Sequence, residues 1–230
     1  MTRFFTLCAI GFTAFSAAPA SADWGPGDQG KLLATGGVSQ VEGAGGAGLA
    51  PWAVITGYGA DDSFGANAHY TQVLLPDFTL RTAGAAVGVF DRIELSYAHL
   101  WFDTNDTGAA LGLGEDFTFE QDVFGAKLRV IGDAVYDQDR LLPQIAIGVQ
   151  YKKTADSAIL SLIGAERDED VDFYVAATKL FLGQSLLANA TVRYTRANQF
   201  GILGYGGDQN DDRKPQFEGS LAYLVSRRLA

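Results

Sequence analysis

The sequence predicts an all-β fold, an antiparallel transmembrane β-barrel of about ten to twelve strands when complete. Three observations predict this class. Apolar and polar side chains alternate along many segments, the chain starts with a leader typical of exported proteins, and no apolar run of about 18 residues follows that leader. An exported chain of two-faced strands can satisfy its backbone in a membrane only by closing into a barrel.

Alternation is clearest from Gln144 to Lys152. Ile145, Ile147, Val149 and Tyr151 point to one side, and the residues between them are glutamine, alanine and glycine. Such a strand has one apolar and one polar face. Similar but weaker patterns predict further strands at Leu49–Tyr58, Phe64–Val73, Phe78–Phe90 with a bulge near Gly84, Ile93–Phe102, Phe117–Val130, Val171–Leu182, Leu186–Arg196 and Phe217–Val225.

Residues 1–22 are predicted to be a cleaved signal peptide. Arg3 supplies the positive charge, Phe4–Phe15 is the apolar stretch, and Ala20-Ser21-Ala22 is a small-residue cleavage site. The chain's single cysteine, Cys8, lies in this leader, so the mature chain would have no disulfide or thiolate chemistry. We expect three parts: the signal peptide, a Gly-rich N-terminal segment over residues 23–48, and the barrel over residues 49–230.

The charge of the chain argues against nucleic-acid binding. Removing Arg3 from the 17 basic residues leaves 16 against 27 acidic ones, a formal charge of −11 without a basic stripe. The predicted barrel fold implies two other partners, the lipid bilayer of the outer membrane and the barrel-insertion machinery.

Motifs for cofactors are absent or incomplete, so we expect no cofactor. Gly43–Gly48 matches G-x-G-x-x-G, but Pro51 and a β-rich stretch follow where a nucleotide-binding helix would begin. The acidic run Asp208–Asp212 resembles the start of a calcium loop, yet its sixth position is Arg213 instead of glycine.

The end of the chain is unusual for a complete barrel. Bacterial outer-membrane barrels usually finish on a strand with a terminal aromatic residue, whereas this chain ends Ser226-Arg227-Arg228-Leu229-Ala230. An open barrel would leave unpaired backbone groups in lipid. Either the sequence is a fragment or the barrel closes in a different register, and we expect the fragment.

Three segments carry a resemblance to a known family: Lys31–Trp52, Phe124–Asp137 and Gln138–Lys153. They resemble an uncharacterised proteobacterial outer-membrane family, domain of unknown function 3034. The resemblance covers most of the mature chain, and members generally continue past the point where this chain stops. It implies an outer-membrane location and a barrel fold, and it brings no activity and no functional residues.

Charged and polar residues on the polar faces of the strands are the candidate lumen-lining set. If the barrel is wide they would line a pore, and if it is narrow they would pair and plug it. The first hypothesis is therefore a non-enzymatic channel or transport-related barrel for small solutes. The alternatives are a structural or interaction barrel with a plugged lumen, and an outer-membrane enzyme using the inward-facing His69. The set is Glu94, Lys127, Arg129, Gln150, Lys152, Arg193 and Glu218.

Overall fold

The computed structural model describes residues 12–16, 38–57, 62, 64–110, 112–114, 117–155 and 157–223. Most of the predicted leader, most of the Gly-rich segment and the last seven residues lie outside these ranges. Of the leader, Phe12–Ser16 forms a strand whose backbone pairs with a later strand. Whether the leader is cleaved stays a prediction.

The fold is all-β, as predicted. One antiparallel sheet contains nine strands that neighbour each other in chain order, and its last eight curve into a half-barrel. The two strands missing from this order pair only with each other, inside the curve. The strands are β1 (Phe12–Ser16), β2 (Gly46–Ala47), β3 (Ala50–Pro51), β4 (Phe64–Leu74), β5 (Thr79–Val89), β6 (Ile93–Asp103), β7 (Thr118–Ile131), β8 (Gln144–Thr154), β9 (Glu169–Phe181), β10 (Leu186–Thr195) and β11 (Lys214–Tyr223).

From β4 to β10, each strand buries polar side chains on the concave face and exposes mostly apolar side chains on the convex face, the reverse of a water-soluble sheet. In β8, Gln150 and Lys152 are fully buried on the concave side, whereas Ile147 and Tyr151 are exposed on the convex side. The pairing register aligns these outward residues in rows across the sheet. One row is wholly apolar: Phe64, Val89, Ile93, Leu128, Ile147, Val175, Val192 and Phe217.

The two ends of the sheet differ in their connections. Long connections, at residues 104–117, 155–168 and 196–213, share one end, which we call the long-loop end. They contain two short helices, α1 (Asn105–Ala110) and α2 (Ser157–Leu162). The opposite, short-turn end has tight turns at residues 90–92 and 182–185 and one longer connection at residues 132–143. Within the described ranges, no helix is long and apolar enough to cross a membrane.

The concave side is packed in three layers. An apolar cluster at the long-loop end joins sheet residues such as Leu100 and Phe119 to Leu160 of α2 and to Ile202. A second apolar cluster, at the short-turn end, contains Trp52. Buried polar and charged side chains lie between the two clusters. The interior of the described part is therefore filled from end to end.

Two local expectations were wrong. The segment Leu49–Tyr58 was expected to be a membrane strand, but its described part contains only the short β3 and then bends, since the apolar run around Pro51 does not alternate. Trp52, in the same segment, is buried inside. The expected bulge near Gly84 is also wrong, because β5 pairs regularly there and the register shifts between Arg129 and Ile131 instead.

Candidate functional site: the inner segment and its ionic contacts

Residues 38–57, here called the inner segment, lie on the concave face and contact strands from β4 to β11. The sequence suits this position, since small residues dominate and Glu42 is its single charged residue. Gly57 makes the closest approach to the sheet, since a Cβ there would lie 2.4 Å from the Cα of Gly65 in β4, and its φ of 103° also favours glycine. At Gly45 a Cβ would lie 2.8 Å from Glu94 Oε2 and from Thr56 Oγ1, so a larger residue would displace these side chains.

A buried lysine binds the backbone of the inner segment. Lys127 Nζ donates to the carbonyl oxygens of Gly45 at 3.1 Å, Trp52 at 3.1 Å and Val54 at 2.9 Å. It also lies 2.9 Å from Glu94 Oε1, and both side chains are about 1% exposed. Glu94 in turn accepts the N–H groups of Gly45 and Thr56 at 2.9 and 2.8 Å. The pair satisfies backbone groups that would otherwise be buried without partners.

The concave face of strands β4–β11 is here called the wall. Its neutral polar side chains bind the rest of the backbone of the inner segment. Gln144 Nε2 donates to the carbonyl of Ala53 at 2.8 Å, while Thr178 Oγ1 accepts the Ala53 N–H at 2.7 Å. Thr191 Oγ1 donates to the carbonyl of Pro51 at 2.7 Å. One side chain of the segment also contacts the wall: the indole N–H of Trp52 donates to Ser220 Oγ at 2.8 Å. The wall thus recognises an irregular backbone through side chains.

A second ionic cluster surrounds Glu42. Its carboxylate pairs with Lys152 through Oε1 and with Arg193 Nη1 through Oε2, the latter at 2.8 Å. Asp172 lies 2.8 Å from Lys152 Nζ and 3.4 Å from Arg193 Nη1. Glu218 accepts from Arg193 Nε at 2.7 Å. Three carboxylates therefore share two cations in the middle of the wall.

The seven candidate lumen residues all lie on the concave face. Glu94, Lys127, Gln150, Lys152 and Arg193 are buried there. Gln150 accepts from Arg193 Nη1 at 2.6 Å.

Arg129 and Glu218 lie nearer the edges of the interior. Arg129 is at the short-turn end, where it pairs with Asp91 and Asp133. The side chain of Glu218 is 11% exposed. That any of the seven lines an open pore stays a prediction.

The sequence reasoning missed two members of the Glu42 cluster. Asp172 lies on the inward side of β9, two residues before Tyr174, and its alternation phase could have identified it. Glu42 had no comparable signal, since its neighbours are glycines and small residues without a period.

The two histidines lie on opposite faces. His99 is on the convex face, where its Nδ1 lies 2.9 Å from Asp122 Oδ1, and Tyr97 donates to the same oxygen at 2.7 Å. His69 is on the concave face, and neither of its ring nitrogens has a hydrogen-bond partner among the described residues. His69 is thus not part of a nucleophile–base pair in that part of the chain.

A buried tyrosine caps the polar layer at the long-loop end. The Tyr205 hydroxyl accepts from Gln121 Nε2 at 2.8 Å, and burial raises the pKa of this phenol. Tyr205 is therefore neutral at physiological pH. In the described ranges no group of three or more histidine, cysteine or acidic residues is arranged to hold a metal ion.

One family model matches this chain, and its description is Protein of unknown function (DUF3034). The match covers residues 35–230. The chain belongs to this family. The DUF3034 match includes the whole inner segment and every strand from β4 to β11, so the buried ionic contacts lie entirely within the family region. No curated protein and no solved structure matches the chain.

Proposed function

We propose that this protein is a non-enzymatic outer-membrane β-barrel protein that is exported with a cleaved signal peptide and whose interior is occupied by its own inner segment. In this state it is a structural or interaction barrel with a plugged lumen. One observation carries the proposal: the charged side chains of the concave face bind the inner segment or each other, while the convex face presents rows of apolar residues.

The convex face supports the membrane part of the proposal. Along β9 the outward residues Val171, Phe173, Val175 and Ala177 are apolar. Charged residues flank this run, Glu169 before it and Lys179 after it. Six residue steps of a strand span about 20 Å, close to the apolar band of about 25 Å in outer-membrane barrels. Tyr97 and Tyr151 direct their hydroxyls to acidic partners at one margin, as expected of an aromatic girdle.

The first test is heat-modifiable gel mobility of the protein taken from the outer-membrane fraction. An unboiled band that runs faster than the boiled band is expected, because a closed barrel resists detergent. A soluble protein without a mobility shift would contradict the proposal.

A channel for small solutes is the second candidate, and the polar character of the wall favours it. Because the inner segment fills the interior, conduction would require the segment to move. Single-channel recordings distinguish the two: the plugged barrel is expected to show no discrete conductance steps, and regular steps in the unmodified protein would favour the open channel.

A further inference from the structure

The inner segment is tied to the wall by one charged side chain. Glu42 lies between Lys152 of β8 and Arg193 of β10, and the three side chains are at most 1% exposed. Each carboxylate oxygen takes one cation, so the two strands are bridged through the segment. This ionic contact depends on Glu42 alone, because residues 38–57 contain no other charged side chain that could replace it.

The inner segment divides into two parts with different attachments. Residues 45–57, the fixed part, are held through their backbone by wall side chains such as Lys127, Gln144 and Thr191. Residues 38–44, the latched part, have few contacts of that kind. Apart from Glu42, their hydrogen bonds to the sheet are one from Thr82 to the Val41 carbonyl at 2.7 Å and one from Ser39 to Asn67 at 3.0 Å. Their backbone also bonds to the fixed part, from Val41 N–H to the Gly48 carbonyl at 3.0 Å and to the Val38 carbonyl from Gly46 N–H at 3.3 Å, so withdrawal has to break these two bonds.

Without Glu42, the charges left in the cluster are equal in number. Asp172 contacts both cations and Glu218 contacts Arg193, so removal of the Glu42 charge leaves two acids against Lys152 and Arg193. Withdrawal of the latched part therefore leaves no uncompensated charge buried in the wall. We expect the sheet to stay folded, because an uncompensated buried charge is what would destabilise it.

Space adjoins the cluster. A groove of about 640 Å³ lies between residues 47–50 and residues 216–220 of β11. Glu218, which contacts Arg193, lines it, and so does Phe200, whose carbonyl accepts from Lys152 at 3.4 Å. Neither cation lines the groove itself, and each is separated from it by one of these two residues.

We propose that Glu42 is the latch of a displaceable plug. When its carboxylate leaves Lys152 and Arg193, residues 38–44 withdraw from the wall and a polar passage opens beside β11, while residues 45–57 stay bound. This inference goes beyond the plugged barrel of the proposed function and rests on it only for the membrane setting.

The experiment measures the rate at which a small maleimide labels one cysteine in the folded, full-length protein. Cys8, the single cysteine, is replaced by serine. The reporter is Val41→Cys in the latched part, and Val54→Cys in the fixed part is its control; both valines are buried. Each reporter is combined with Glu42→Gln or with Glu166→Gln, the same chemical change on an exposed loop residue.

Glu42→Gln is expected to speed labelling at Val41→Cys by at least about tenfold, which corresponds to ~1.4 kcal/mol of opening free energy. Labelling at Val54→Cys should stay slow, and Glu166→Gln should change neither site. In single-channel recordings, Glu42→Gln should show conductance steps that the Glu166→Gln protein lacks.

Equal labelling of Val41→Cys in the two glutamine variants would overturn the latch, and so would equal acceleration at Val41→Cys and Val54→Cys. If Glu42→Gln loses its heat-modifiable mobility, Glu42→Asp takes its place, since it keeps the charge but cannot reach both cations. Faster labelling of that variant supports the latch, and labelling at the unmodified rate overturns it. Absence of a mobility shift in the unmodified protein is a separate result, which contradicts the proposed function.

Discussion

The buried ion pair of Lys127 and Glu94 has an exposed counterpart on the convex face of the half-barrel. Lys127 and Glu94 form a fully buried pair that also binds three carbonyls, whereas Lys153 and Glu169 form an exposed pair 3.2 Å apart. Both pairs join a lysine to a glutamate on a neighbouring element. Their environments differ, and the environment decides what such a pair contributes.

Replacement of Lys127 by methionine is expected to lower the free energy of unfolding by about 3–5 kcal/mol, because the buried Glu94 charge loses its partner. Lys153→Met should change that free energy far less, since solvent screens the exposed pair. Urea unfolding of the protein in detergent micelles measures both. A loss of similar size in the two variants would contradict the buried role of Lys127.

Gly148 permits an aromatic contact inside the wall. The ring of Tyr174, on the neighbouring strand, lies where a side chain at position 148 would begin. Gly148→Ala is expected to destabilise by about 1–3 kcal/mol through overpacking. At Gly183 an added Cβ meets no atom within 4 Å, so Gly183→Ala is the matched control. Equal unfolding free energies for the two variants would show that Tyr174 moves aside freely.

Alternation made most of the candidate site predictable at the level of single residues. Lys152 and Arg193 were assigned to the polar face because they occur in phase with polar neighbours on regular strands. Their common partner Glu42 was not predictable, since it comes from an irregular segment whose position depends on the completed sheet. A period can indicate which face a residue occupies, but it cannot indicate what covers that face.

The strands themselves were largely predictable, and the inner segment was not. The predicted strand Gln144–Lys152 corresponds to β8, which extends two residues further, to Thr154. The predicted strand Leu49–Tyr58 failed because an apolar run without alternation fits a buried irregular segment as well as a strand. The bulge was misplaced because Gly84 allows close packing against the backbone of β6 while β5 remains regular.

The outward face of β9 provides a test of the membrane assignment. Val175 is 49% exposed and pairs with Ile147 and Val192 in the wholly apolar row. Val175→Arg is expected to cost about 2–4 kcal/mol when the protein is folded into lipid vesicles. Leu162→Arg, on the exposed helix α2, should change stability by no more than about 0.5 kcal/mol. If the two arginines cost the same, this face does not lie in hydrocarbon.

At the scale of the whole molecule, the two ends of the half-barrel are unequal. In outer-membrane barrels the long loops are extracellular and the short turns periplasmic. The long-loop end carries α1, α2 and residues 196–213, so we expect this end to face outward.

Two exposed leucines mark the ends and test this orientation. Leu162 in α2 is 84% exposed at the long-loop end, and Leu141 is 87% exposed at the short-turn end. In cells that express the Cys8→Ser chain, Leu162→Cys should react with a membrane-impermeant thiol reagent, whereas Leu141→Cys should react only after the cells are broken. The opposite pattern would reverse the orientation, and no reaction at either site in intact cells would contradict insertion.

The chain order of the sheet also constrains how the protein folds. The inner segment precedes β4 to β11, the strands that enclose it, and its contacts reach from Asn67, 28 positions after Ser39, to Ser220, 168 positions after Trp52. Each wall strand pairs with its predecessor, so the sheet can grow by successive local hairpins. The contacts of the inner segment are complete only after the last hairpin has formed. The entropy cost of closing that long loop therefore falls late in folding. Synthesis from the N-terminus therefore delivers the centre of this molecule first, and folding completes it last.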